Sequence, residues 1–165
     1  MTTVNQETTA VLDGLRRLVK VLREGSRAAE QELGLSGAQL FVLAALAGGT
    51  PRSLTELAER THTHQSSVSV VVSRLVQRRL VKRLRARADA RRLELCLTPR
   101  GKALQLKAPD AAQHRLIAAV EALPRAQRRA LGQSLGRVAA AMALPATAPA
   151  MFFEDAPRRR GARNE

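Results

Sequence analysis

Tryptophan and tyrosine are absent from this 165-residue sequence, phenylalanine occurs three times, and there is one cysteine. A single thiol, Cys96, excludes an internal disulfide framework, as expected in a reducing compartment. No apolar run approaches the roughly 20 residues that a membrane span needs. Nothing at the N-terminus reads as a signal peptide, so the expectation is a cytoplasmic protein with no membrane partner. No Ser-His-Asp order, glycine-rich phosphate loop or pair of carboxylates stands in a catalytic context, so the expectation is no enzyme activity and no cofactor. His62 and His64 form an H-x-H pair with no cysteine or acidic residue at ligand spacing, which favours turn histidines over a metal site. Acidic residues are also scarce, 14 against 28 lysines and arginines, for a net charge of +14. Such an imbalance points to a polyanionic partner.

The residues that are present suffice for one domain, since 45% of the chain is apolar. From Glu7 to about Gln31, Val11, Leu12, Leu15, Leu18, Val19 and Leu22 trace the stripe of a long amphipathic helix. Ser36 with Gln39 forms a capping box for a compact helix carrying Leu40, Phe41, Leu43, Ala44 and Leu46, which stops at Gly48 and Gly49. A second capping box, Ser53 with Glu56, opens a short helix whose stripe is Leu54, Leu57 and Ala58. Another helix begins near Thr63 to Gln65 and buries Val68, Val71, Val72 and Leu75. At 100° per residue its opposite face presents Ser66, Val70, Ser73 and Gln77, with Ser69 and Arg74 at the margins and Gln65 at the leading turn. Small and polar residues let a helix enter a major groove, serine and glutamine can bond base edges, and Val70 can meet a thymine methyl.

Next comes a hairpin. Leu93, Leu95 and Leu97 alternate with Glu94 and Cys96, and Leu80 to Arg85 supplies the partner strand. Between them hangs RARADARR, from Arg85 to Arg92. From Arg74 to Lys107 twelve cations face only Asp89 and Glu94. An arginine-rich tip suits a phosphate backbone or a narrow minor groove, with Asp89 orienting Arg91. Cys96 is expected opposite the leucines and beside Arg83, Arg85 and Arg92, cations that favour its thiolate. Thr98 caps the following helix with Pro99 in its first turn; Pro109 should kink or split that helix, and Pro124 opens the last one, striped by Leu131, Leu135, Val138 and Met142.

LTELAERTHTHQSSVSVVVSRL, the D-x-R at Asp89 to Arg91 and LTPRG at Leu97 to Gly101 together resemble the multiple antibiotic resistance regulator (MarR) family. By motif the resemblance spans Leu35 to Leu106. It implies a mainly α fold with a small β-hairpin wing, that is, a winged helix-turn-helix domain plus terminal dimerisation helices. It further implies a bacterial, dimeric repressor or activator, released from DNA by small phenolic or lipophilic ligands or by oxidation. By position, Gln65 to Arg74 matches the recognition helix, and Arg91 matches the wing arginine of the minor groove, with Asp89 as its anchor. The chain departs from the family at His62 and Arg79, where glycine is usual and a turn favours φ > 0. Hydroperoxide-sensing members use a cysteine in the first long helix with tyrosine partners, and this chain has neither.

The expected division is an N-terminal dimerisation helix at 1–34, the winged helix-turn-helix domain at 35–100, C-terminal dimerisation helices at 101–144 and a disordered basic tail at 145–165. Terminal helices with apolar stripes need a second copy to cover them, and a two-fold dimer sets two recognition helices one DNA turn apart. The DNA-binding candidates are Gln65, Ser66, Ser69, Val70, Ser73, Arg74, Arg87, Asp89, Arg91 and Arg92. A small lipophilic or weak-acid effector would enter between the dimer helices and the head, lined by Leu15, Leu18, Leu22, Leu40 and Phe41, with Arg16, Arg23 or Arg27 for an anion. The expected function is therefore a homodimeric repressor of an inverted-repeat operator in double-stranded DNA. Three alternatives stay open: a non-specific nucleic-acid coat, an enzyme using the basic cleft for an anionic substrate, and control through oxidation of Cys96.

Overall fold

In a computed structural model the chain is described over residues 5–86, 92–108, 111–144 and 148–154. Capped helix starts set its element order. Asn5 accepts from the amides of Glu7 and Thr8 and starts α1, Gln6–Leu33, which ends on Gly34 in the left-handed conformation (φ 63°). Both expected capping boxes form: Ser36 with Gln39 opens α2, Gly37–Ala45, and Ser53 with Glu56 opens α3, Leu54–Arg60. The next helix, α4, runs Gln65–Gln77.

Strands β2, Val81–Arg85, and β3, Leu93–Leu97, pair antiparallel with Lys82 opposite Cys96, Arg83 opposite Leu95 and Arg85 opposite Leu93. A third strand that periodicity does not announce, β1 at Arg52–Ser53, pairs with the other edge of β3, giving the order β1-β3-β2. Two residues are too few to carry a period of two. Among the leucines of β3 only Leu95 is fully buried, while Leu93 is 55% exposed. The register also corrects the surroundings of Cys96. Its cross-strand partner is Lys82, whereas Arg83 and Arg85 pair with leucines and lie on the other face. Lys102 lines the same surface hollow as Cys96 and Lys82.

Thr98 caps α5, Pro99–Lys107; a new helix, α6, starts at Ala112 and ends at Glu121, so the helix is split around the expected proline. Pro124 precedes α7, Arg125–Ala141. The core lies between α2, α3, α4 and the sheet. Phe41, Leu43, Leu46, Leu57, Val68, Val71, Val72, Leu75, Leu80 and Val81 are each no more than 2% exposed. Full burial stabilises each such side chain by about 1.5–3 kcal/mol. The α4 stripe is the four residues that its spacing selects. α7 buries nothing, and Val11, Leu12, Leu15, Leu18 and Val19 of α1 stand exposed.

The C-terminal region departs from the expected disordered tail at 145–165. Ala148 to Glu154 is packed against the head, with Met151 only 5% exposed and part of the core.

Candidate nucleic-acid interface

α4 is held rigidly from behind. Its valine and leucine stripe is buried, and Arg78 just past its end donates to the Gly34 carbonyl at 2.6 Å and to Gln39 Oε1 at 3.0 Å, fastening it to the corner between α1 and α2. The turn leading into α4 places His62 at φ 49°, and the turn out places Arg79 at φ 58°. Both left-handed sites are occupied by residues other than glycine. The outgoing turn is tied to the next helix: the Thr98 hydroxyl donates to the Arg79 carbonyl at 2.8 Å and accepts from the Gly101 amide at 3.0 Å. Gly101 has no substitute there, because a Cβ would overlap the Leu80 carbonyl oxygen. Through these contacts the L-T-P-R-G run sets the angle between α4 and the wing.

With its stripe turned inward, α4 presents Ser66, Val70 and Gln77 to solvent and leaves Ser69 and Ser73 half-buried. Val70 is 43% exposed. Gln65 Nε2 lies 3.5 Å from Thr55 Oγ1, at the junction with α3. Of the wing, Arg92 is described and exposed; Arg87, Asp89 and Arg91 lie outside the described residues. Arg83, expected beside Cys96, was not among the DNA-binding candidates. Its Nη2 reaches Ser73 Oγ at 3.5 Å, which brings a cation from β2 to the edge of the serine face. The period of two along β2, with Leu84 and Lys82 on one face, could have separated Arg83 from Lys82. Arg74 is not free beside that face: its guanidinium lies 3.8 Å from the Glu154 carboxylate, with side chains 24% and 12% exposed.

At the wing root, Glu56 accepts from the Ser53 amide at 2.7 Å and the Ser53 hydroxyl at 2.8 Å. The backbone bond, followed by the hydroxyl and the neighbouring Arg52 and Arg92, holds its carboxyl below the usual carboxylate range. Among the described residues no group of three or more His, Cys, Asp or Glu could hold a metal ion. His62 instead bonds Glu121 of α6 at 3.1 Å.

The expected effector residues do not converge. Phe41 lines a cleft of about 270 Å³ with Thr61 to His64, Gln113, Leu116, Ile117 and Pro149 to Phe152. Leu22 and Leu40 line a much smaller hollow, and Arg23 and Arg27 another. Leu15 and Leu18 are 37% and 48% exposed on α1, and Arg16 pairs with Asp13 at 2.7 Å. One chain alone therefore does not assemble that set. The cause is geometric: Leu15 and Leu18 sit a helical turn or more before Leu22, the first buried residue of α1.

A short capped α3, an α4 with a solvent-facing polar side and a three-stranded wing form a winged helix, and comparison with known proteins is consistent with that geometry. The sequence profile of the MarR family matches residues 33–92. The match falls on the winged-helix head and makes that part of the chain similar to the MarR family. The HTH-type transcriptional repressor MdtR of Bacillus subtilis (strain 168) is 37% identical over 71 residues, which are 43% of this chain and 46% of that repressor. The chain thus matches about half the length of this curated relative. Among solved structures, the transcriptional regulator BldR from Sulfolobus solfataricus shares the fold with a TM-score of 0.55 at 22% identity, over 83% of this chain and 99% of that one. BpsR of Bordetella bronchiseptica, whose DNA binding is regulated by 6-hydroxynicotinic acid, gives 0.54 at 25% identity, over 84% and 96%. Among the described residues no helix is long and apolar enough to cross a membrane.

Proposed function

We propose that the chain is a homodimeric, sequence-specific transcriptional repressor that reads an inverted repeat with α4. The observation that carries the reading is the face Ser66, Ser69, Val70, Ser73 and Gln77, which is uncharged and, Val70 apart, polar, with the cation Arg83 at its edge. A coat for any nucleic acid would place lysine or arginine on that face, since phosphate contacts position a protein and base contacts specify its site. Gln65, Ser66, Ser69 and Ser73 are assigned to base edges or nearby phosphates, and Val70 to a thymine methyl. Arg87, Arg91 and Arg92, with Asp89 as anchor, are assigned to the adjacent minor groove, and Arg83 joins them at the phosphate backbone. The exposed stripes of α1 and α7 support burial against a second copy, which would set the two α4 helices near 34 Å apart. A small lipophilic or weak-acid effector is the regulatory reading, and the cleft beside Phe41 is of a size to take one.

The test is selection of bound duplexes from random-sequence DNA, repeated with Ser69→Ala and Arg91→Ala. The expected result is an inverted repeat whose half-site changes with Ser69→Ala. Arg91→Ala should keep the recovered sequence, weaken binding to all of its members and lower the salt slope by about one. Recovery of no common sequence would leave the chain a non-specific coat.

A further inference from the structure

Seven residues near the C-terminus, PAMFFE preceded by Ala148, are built into the crevice between α2, α4 and α6. The Pro149 carbonyl accepts from the Ser67 hydroxyl of α4 at 2.8 Å. The Phe152 carbonyl accepts from Gln113 Nε2 of α6 at 3.0 Å. Ser67 and Gln113 are 7% and 6% exposed, so both are buried polar groups whose bonds are made by this segment. Met151 fills the apolar floor, and a turn from the Glu154 amide to the Met151 carbonyl, with Phe153 at φ 57°, lays Phe153 over Gly37 of α2. That turn delivers Glu154 to Arg74, and the hollow containing Glu154 is also lined by Arg23 and Arg27 of α1. Each part of the segment thus meets a complementary group: backbone carbonyls meet buried donors, a thioether meets the core, and a carboxylate meets Arg74.

We propose that this crevice is a peptide-docking site whose ligand is the chain's own Ala148–Glu154 segment, and that the seated segment competes with DNA for the recognition helix. Ser67 and Arg74 lie seven residues apart and therefore on the same flank of α4. While both are engaged from behind, Arg74 is withheld from phosphate and an acidic residue stands beside a helix that must approach a polyanion. Pro149 to Phe152 also form one wall of the cleft beside Phe41, so leaving the seat opens that cleft. The class of ligand is a short peptide with an apolar centre followed by an acidic side chain. The competition rests on the DNA-binding reading above, whereas the docking does not.

The experiment uses the full chain, with Met151→Ser to empty the floor at constant charge and Glu154→Ala to release Arg74. Glu32→Ala changes net charge as Glu154→Ala does, from an exposed position on α1. Amide hydrogen exchange across 148–154, measured without DNA, reports the seat; fluorescence anisotropy with a random-sequence duplex at fixed salt reports binding. In the parent chain the segment should be protected. Met151→Ser and Glu154→Ala should speed its exchange and tighten duplex binding about three- to tenfold, the factor by which a partly occupied competing state lowers apparent affinity. Glu32→Ala should leave exchange unchanged and gain less. Free exchange of the segment in the parent chain overturns the docking, and faster exchange with unchanged duplex affinity overturns the competition. If no form of the chain binds duplex while the segment stays protected, the DNA-binding reading and the competition fall and the docking stands.

Discussion

Arg79 pays for its position with a left-handed backbone. At φ 58° its Cβ crowds the following carbonyl, a conformation that costs a residue other than glycine roughly 1–2 kcal/mol. Arg79→Gly should therefore raise stability by about 1 kcal/mol, part of the relief being lost to the entropy of the unfolded chain. Urea unfolding checks this, and an unchanged or lower midpoint would mean that the arginine's contacts outweigh the strain. The need for φ > 0 at His62 and Arg79 was legible from the resemblance, which has glycine at both turn positions. What was not legible at this scale is which residues face each other. Cys96 lies beside the arginine-rich tip in sequence, yet register places it against Lys82 and sends Arg83 to Ser73. Alternation along a strand gives its two faces, but which neighbour occupies each face depends on an offset that only the completed ladder fixes.

Helix starts were the most readable elements, because a cap is a local contract between a hydroxyl and an amide three residues on. α3 shows its consequence. Ser53→Ala removes the bond to the Glu56 amide and should cost about 1 kcal/mol, seen as a lower unfolding midpoint. The same box gives stability an acid limb. Glu56 has a folded pKa below its unfolded one, so its contribution is complete above the ordinary carboxylate pKa. It is lost as pH falls through the lowered folded value. Thermal melts taken downward from neutral pH should show this loss, and Glu56→Gln should flatten that part of the curve; an equally steep acid limb in Glu56→Gln would assign it to other carboxylates. Less readable were β1, whose two residues have no period, and Ala148–Glu154, whose proline-rich and alanine-rich surroundings have the composition of an unstructured tail. Its order comes from buried donors on α4 and α6, contributed by residues more than thirty positions away.

At the scale of the molecule, the head is complete and the terminal helices are not. Leu131, Leu135 and Val138 of α7 and Met142 just past its end are 40–66% exposed, an apolar surface that a second copy would cover. Leu135→Glu should convert a sedimenting dimer to a monomer while leaving the far-ultraviolet spectrum of the head intact. A parent chain that sediments as a monomer at micromolar concentration would remove the two-fold geometry from the functional reading. Assembly and seating also differ in reaction order. Pairing of two chains is second order and weakens as the protein is diluted. The contact between Glu154 and Arg74 is made within one chain, where a short tether sustains an effective concentration on the order of millimolar. Were the chain to pair as proposed, scarcity would dissociate the dimers and leave the occupancy of each crevice unchanged, so dilution would unpair the chain without opening it.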